Sequence, residues 1–239
     1  MKYFVSSDIH GFFKTWQNAL AEKGFDINNP EHKIILCGDL FDRGREPKQI
    51  IDFILSNKDK IILIRGNHED LMEQMIERNS YDYIDLCNGT AKTIMDLCPN
   101  WNISEFDLKL IVKKTHLQDV IDMCIDYFET SNYIFVHGWI PISHEYTYNP
   151  NWRTATKGEW EKARWQNPVE MYKNKIFEPN KTIVCGHWHC SSLWHEQNPS
   201  NYEEFGKKAN FKPFITQNII AIDACTAYSH KVNVLVIED

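Results

Sequence analysis

With 239 residues, 43% of them hydrophobic, the chain is long enough for one large α/β domain and apolar enough to fill its core. Its formal net charge is −7 and it has no basic run longer than Lys113-Lys114 or Lys207-Lys208, which argues against stable nucleic-acid binding; no apolar stretch approaches the ~20 residues of a membrane span. Seven cysteines, an odd number with no Cys-x-x-Cys pair, read as reduced thiols of a cytoplasmic protein, and a strand that begins at once leaves no room for a signal peptide.

The first seventy residues alternate in period. A strand over 2–7 leads to a helix over 12–23, with Trp16, Ala19 and Leu20 on one face. A strand over 33–37 leads to a helix over 47–56 that starts at Pro47, and a strand over 60–64 leads to a helix beginning near Glu69. Asp8, Asp39 and Asn67 recur about every 30 residues, the length of a βαβ unit, so parallel strands are expected. From 71 to 129 the pattern is helical: Met72, Met75 and Ile76 share a face, as do Leu108, Ile111 and Val112, and then Val120, Met123, Cys124 and Tyr127, with a break at Pro99. No linker flanks this stretch, so it reads as a helical insertion within a single domain spanning 1–239. Strands return over 133–136, 182–185, 218–222 and 232–237; the last two read as a hairpin closing a second sheet. Between them, 149–166 is rich in Trp and charge, and 197–213 reads as a polar surface loop.

Five of the strand-like runs end in clusters of acid, amide and imidazole. These are Ser7-Asp8-Ile9-His10-Gly11, Gly38-Asp39-Leu40-Phe41-Asp42-Arg43-Gly44, Arg65-Gly66-Asn67-His68-Glu69, Val136-His137-Gly138 and Gly186-His187-Trp188-His189. Such placement gathers the polar groups along one edge of a sheet, where open α/β sheets carry their sites. Carboxylate, imidazole and amide without thiolate suit two hard-to-borderline divalent metals. Asp8 and His10 would hold the first metal, Asp39 would bridge, and Asn67, His137 and His187 would hold the second. Taken singly, an Asp or Asn at a strand end is ordinary turn or cap chemistry; the ordered set is not.

At these residues the chain resembles the calcineurin-like metallophosphoesterases. The Gly-Asp-x-x-Asp-Arg-Gly and Arg-Gly-Asn-His-Glu spellings are closest to the branch of the serine/threonine protein phosphatases, phage-type phosphatases and symmetrical diadenosine tetraphosphatases. The matching motifs run from Asp8 to His189. The resemblance implies a four-layer α-β-β-α sandwich of two mixed sheets. It also implies a binuclear centre, with Mn²⁺ expected and Fe or Zn²⁺ as alternatives, and direct attack by an activated water. By the same resemblance, His68 protonates the leaving oxygen and Asp42 orients it. Arg43 is a candidate phosphate fork; the branch normally carries a second, for which Arg164 is chosen and Arg153 is the alternative. His189 is added to the ligand set on the Gly-His-x-His pattern of many superfamily members, a pattern the protein-phosphatase branch usually lacks.

Glu69 reads as a helix N-terminal acid and Arg65 as the partner of an acid under the site. The remaining histidines read as surface or hydrogen-bonding groups, with His144 or His195 able to border the pocket. Trp139, Trp152, Trp160, Trp165, Trp188 and Trp194 read as core and lid packing, or as a wall that stacks on a nucleobase. The substrate expected first is a phosphoserine or phosphothreonine protein. A dinucleoside polyphosphate is the alternative, and a non-catalytic scaffold on the same fold is the reading from another class.

Overall fold

The computed structural model describes residues 1–98, 108–143 and 146–239. The positions singled out at Pro99 and His144 lie outside the described residues. β1 (Lys2–Ser6), β2 (His32–Cys37) and β3 (Ile61–Ile64) are parallel, and β9 (Leu235–Glu238) pairs antiparallel with β1, giving the order β3-β2-β1-β9. These strands are runs of Ile, Leu, Val, Phe and Tyr buried on both faces, as strands covered on two sides should be.

The second sheet has the order β4-β5-β6-β8-β7. In it β5 (Tyr133–Phe135), β6 (Thr182–Cys185) and β8 (Ile219–Ala221) are parallel, and β4 (Phe128–Glu129) and β7 (Phe214–Ile215) are antiparallel edges. The expected hairpin between the last two strands does not form. β8 makes its hairpin with β7, and β9 crosses to the first sheet, where the Tyr3–Ile237 and Val5–Leu235 registers close the β1 edge. An apolar strand-like run shows that a strand forms but not which edge it completes.

Helices cover both outer faces. α1 (Phe13–Glu22), α2 (Pro47–Ser56) and α3 (Asn67–Arg78) pack on the first sheet. α2 begins with Pro at its first turn, where a missing N–H costs nothing. Among the described residues of the 71–129 stretch lie four further helices: α4 (Tyr83–Asn88), α5 (Thr90–Leu97), α6 (Leu108–Thr115) and α7 (Leu117–Ile121). Ile94, Leu97, Ile111, Val112, Val120 and Ile121 join one apolar cluster with Phe4, Ile34 and Leu36 of the sheet. α7 stops at Ile121, short of the expected face through Tyr127. There the chain extends along β3, with Ile125 N–H donating to Leu63 O at 2.9 Å and Arg65 N–H donating to Ile125 O at 2.8 Å. Edge pairing wins over one more turn of helix.

α8 (Lys157–Arg164), α9 (Pro168–Lys173) and α10 (Cys190–Gln197) cover the second sheet with Trp139, Trp152 and Trp160 in their core; a short α11 (Thr226–Ser229) follows β8. A third cluster lies between the sheets: Val5, Ile35, Cys37 and Ile64 from one side meet Phe135, Val184 and Ile220 from the other. The result is the α-β-β-α sandwich. Among the described residues, no helix is long and apolar enough to cross a membrane.

Ile35 has no solvent exposure and sits in this inter-sheet layer. Ile35→Ala should cost about 2–5 kcal/mol in denaturant unfolding; a loss under about 1 kcal/mol would mean that the two sheets are not packed as described.

Candidate metal centre

The parallel strands of both sheets deliver their polar clusters to one edge of the sandwich. β1 ends at Asp8 and His10, β2 at Asp39, and β3 at Asn67 and His68; β5 and β6 bring His137 and His187 from the other sheet. The loops are tied to one another by their backbones. Asp8 N–H donates to Gly38 O, His10 N–H to Asp39 O and Gly11 N–H to Leu40 O, at 2.8–3.1 Å, and Gly186 N–H donates to His137 O at 2.8 Å.

Five of the site residues have left-handed backbones: Asp8 (φ 51°), His10 (45°), Asp39 (57°), Arg43 (74°) and His187 (65°). A non-glycine residue there costs on the order of 1–3 kcal/mol, and such strain gathers where function fixes the geometry. Two glycines explain why the motifs are spelled as they are. Gly38 has φ +80°, and a Cβ on it would lie 2.6 Å from the Gly66 backbone and from His137 Nδ1. A Cβ on Gly186 would lie 2.2 Å from Asp8 Oδ2.

Two groups of possible ligand atoms share Asp39. His10, Asp39 and His68 place theirs within 4.8 Å of one another, and Asp39, His137 and His187 do the same. Asp39 Oδ2 is 3.7 Å from Nε2 of both His10 and His68, and Oδ1 is 3.3 Å from His137 Nε2. Asp8 stands beside the first group, with Oδ1 4.0 Å from His10 Nε2 and Oδ2 accepting from His187 N–H at 3.0 Å. Asn67 Oδ1 is 2.7 Å from His137 Nε2.

The donor set fits divalent cations. His137 Nδ1 lies 2.8 Å from the Cys37 carbonyl, which can only accept, so Nδ1 carries a proton and Nε2 is the nitrogen left to face the cluster. Nε2 faces two oxygens, Asn67 Oδ1 at 2.7 Å and Asp39 Oδ1 at 3.3 Å, a nitrogen–oxygen donor set that a shared cation would fit. His10 turns Nε2 toward Asp8 and Asp39, at 4.0 and 3.7 Å, so Nε2 is the atom it would offer a cation. The charges agree. Burial and the nearby Asp223 and Asp39 hold the Asp8 carboxyl well above the ordinary range, a crowding of carboxylates that a cation relieves.

The histidines separate by environment. Burial and the neighbouring His137 push His187 down to about 3; burial and Arg43 hold His10 well below its ordinary value. Both are neutral near pH 7, as ligands must be. His68 goes the other way: burial opposes its charge, but Asp39 and the hydrogen-bonded Asp42 outweigh burial and raise it. Its Nδ1 is 2.6 Å from Asp42 Oδ2. Asp42 also accepts from Thr90 Oγ1 and Thr93 Oγ1, each at 2.7 Å, so α5 of the helical stretch holds this carboxylate in place.

Of the two expected phosphate forks, the structure brings Arg43 into contact with the cluster side chains. Its Nη1 is 2.8 Å from His10 Nε2 and its Nη2 is 3.2 Å from His68 Nε2. Arg164 is buried against carboxylates instead: Nε and Nη2 donate to Asp70 at 2.6 and 3.1 Å, and Nη1 donates to Asp126 at 2.7 Å. Arg65 Nε adds a bond to the same Asp70 at 2.7 Å. Arg153 pairs with Glu129 and Glu178 and lies over Trp152.

Neither three-residue group includes His189, whose Nε2 meets Glu204 Oε1 at 2.8 Å. His195 Nδ1 lies 2.8 Å from the Tyr202 carbonyl. Glu69 is the α3 cap acid: its carboxylate accepts from Gly66, Asp39 and Leu40 N–H at 2.8–2.9 Å and so splints the second motif to the third.

Sequence reasoning missed Thr90 and Thr93, Asp70, the Trp165 carbonyl that accepts from the His187 ring, and Asp223. Only Asp223 carried a usable signal, an acid directly after the predicted 218–222 strand. It is buried beside Asp8, and burial raises its carboxyl to about 6.

The family model described as calcineurin-like phosphoesterase matches residues 1–212, and the chain belongs to that family. A symmetrical bis(5'-nucleosyl)-tetraphosphatase from Buchnera aphidicola subsp. Acyrthosiphon pisum (strain Tuc7) is 31% identical over 67 residues, which is 28% of this chain but only 23% of that protein. The one from subsp. Baizongia pistaciae is 28% identical over 98 residues, 34% of each. The matched stretch therefore spans about a third or less of these relatives. Two solved structures share the fold at 14% identity. A putative diadenosine tetraphosphatase has a TM-score of 0.53, covering 99% of this chain and 89% of its own. A protein serine/threonine phosphatase from Saccharomyces cerevisiae has 0.54, covering 100% and 80%.

Proposed function

We propose that the chain is a metal-dependent phosphoesterase with a binuclear centre. The observation that carries this reading is Asp39, one carboxylate standing between two imidazole groups, with the His68–Asp42 pair at the margin. Asp8, His10 and Asp39 would hold one divalent cation; Asp39, Asn67, His137 and His187 would hold the other. Nitrogen and oxygen donors without thiolate suit Mn²⁺, our choice, as well as Fe or Zn²⁺. When bound, the pair supplies Lewis-acid activation of water and neutralises phosphoryl charge.

The chain's own residues do the rest. Arg43 forks onto the phosphoryl oxygens. His68, whose proton affinity Asp39 and Asp42 raise, would donate an Nε2 proton to the departing oxygen once Arg43, 3.2 Å from Nε2, turns to the phosphoryl oxygens, while Asp42 accepts the Nδ1–H and so holds the orientation of the ring. Its raised proton affinity favours this role over ligation. Cysteine nucleophiles have no support: the Cys185 and Cys190 thiols are buried and pushed well up. Arg164 we assign to anchoring α8 beneath His187 through Asp70, and His189 to the rim of the site.

For substrate, dinucleoside polyphosphates fit best, because the curated relatives that match locally carry that activity in their names. A phosphoserine or phosphothreonine protein is the second reading, supported by the spelling of the second and third motifs and by the shared fold of a protein phosphatase. The test is phosphate release from diadenosine tetraphosphate, a phosphothreonine peptide and p-nitrophenyl phosphate, with Mn²⁺ and after chelation. Mn²⁺-dependent turnover with the dinucleotide ahead is expected. Peptide preference would transfer the assignment to the second reading. A protein that binds no Mn²⁺ by calorimetry and turns over nothing would instead be a scaffold on this fold.

A further inference from the structure

A row of rings runs outward from the metal centre. The His187 ring, in contact with His137 at 5.1 Å between centroids, is flanked by Trp165 at 5.9 Å and Trp188 at 6.1 Å. Trp188 stacks on His189 at 5.8 Å with 15° between planes; His189 meets Phe205 at 4.8 Å, and Phe205 meets Tyr228 at 5.2 Å. The row is held by polar bonds. Glu204 Oε1 accepts from His189 Nε2 and from Ser192 Oγ, both at 2.8 Å, and this pins the 197–213 loop against the centre.

Its outer end stays open: Phe205 and Tyr228 are each about half exposed (46% and 53%). Trp139, Trp152 and Trp160, from the same Trp-rich part of the sequence, are almost fully buried in the core. Large rings left exposed beside a functional centre, while neighbouring tryptophans are sequestered, mark a contact surface.

We infer that Phe205 and Tyr228 form a stacking subsite for the nucleobase of the substrate, the planar group carried by the phosphate held at the centre. This rests on the phosphoesterase reading and deepens it. The rings favour a flat heteroaromatic occupant. Every base offers a π-face, and stacking on aromatic side chains contributes ~1–3 kcal/mol per base.

The experiment compares Phe205→Ala, Tyr228→Ala and Tyr228→Phe with the unaltered Mn²⁺-loaded protein, each checked by thermal melting. What is read is the ratio of kcat/KM for diadenosine tetraphosphate to that for inorganic tripolyphosphate, which has no base. The ratio should fall about tenfold in each alanine variant, since 1.4 kcal/mol corresponds to a factor of ten, and recover in Tyr228→Phe. An unchanged ratio, or an equal fall with a phosphothreonine peptide, would overturn the subsite.

If the unaltered protein hydrolyses none of these, the phosphoesterase reading has failed, and a binding arm decides the subsite by itself. ADP should quench the tryptophan fluorescence of the metal-free protein, with weaker binding in Tyr228→Ala. No quenching, or quenching that Tyr228→Ala leaves unchanged, would overturn it.

Discussion

Asp39→Asn should reduce kcat/KM by at least about 10²–10³-fold and remove tight binding of both metal equivalents. Removal of a single preorganised charge-stabilising group from a catalytic site already costs that much, and Asp39 faces both imidazole groups at once. The substitution keeps size and shape, and an amide oxygen can still accept the His68 N–H that Asp39 Oδ1 accepts at 3.1 Å. The fold should therefore survive. Calorimetric titration with Mn²⁺ is the check: two tight equivalents retained in the variant would remove Asp39 from the bridging role.

The metal-free protein provides a second readout with a definite sign. Burial pushes the Asp39 carboxyl up, but the surrounding imidazoles, His137 first among them, win and draw it below the ordinary carboxylate range. A depressed carboxylate stabilises the fold above its unfolded pKa of about 3.9, and that contribution is lost as pH falls through the folded value. The stability gap between the unaltered protein and Asp39→Asn should thus be widest above about pH 4 and shrink in acid.

His68→Gln should lower kcat by about 10²–10⁴-fold, the usual worth of a positioned general acid, with little change in Mn²⁺ affinity. Its pH dependence separates the role from a merely structural one. The folded His68 is raised above its ordinary value by Asp39 and Asp42, and kcat falls as pH rises through the raised value. Asp42→Asn removes a hydrogen-bonded negative partner at 2.6 Å. His68 should then lose its proton at lower pH, and the alkaline limb of the kcat profile should move to lower pH. A limb at the same pH in both proteins would show that a different group donates the proton.

The residues that form the clusters could be recognised because their signal is local. Each follows its own apolar strand within a few positions, and parallel strands must end at the same edge. What supports them could not be recognised. Asp42 is held by Thr90 and Thr93, 48 and 51 positions away, and nothing in a Thr-x-x-Thr spacing points to a particular carboxylate. Arg164, chosen over Arg153 as the second phosphate fork, turns to Asp70, 94 positions earlier. The tryptophans divide between core and rim because burial depends on which sheet face or loop they meet, which residue type alone does not specify. The same limit explains β9: its apolar run identifies a strand, while its partner, β1, lies at the far end of the chain.

The seam between the sheets passes directly beneath the centre. Asp8, Asp39 and Asn67 ride on one sheet and His137 and His187 on the other, and His137 Nδ1 already reaches across the seam to the Cys37 carbonyl. A cation seated among them would act as a clasp on the two halves of the molecule, because its affinity depends on their docking and their docking gains from its affinity. At a free concentration one hundred times the dissociation constant, one such clasp contributes about 2.7 kcal/mol. Loosening the seam far from the edge, at Phe135 or Val184, should therefore weaken ion retention without touching a ligand, so that interior packing and cation occupancy become two readings of one equilibrium.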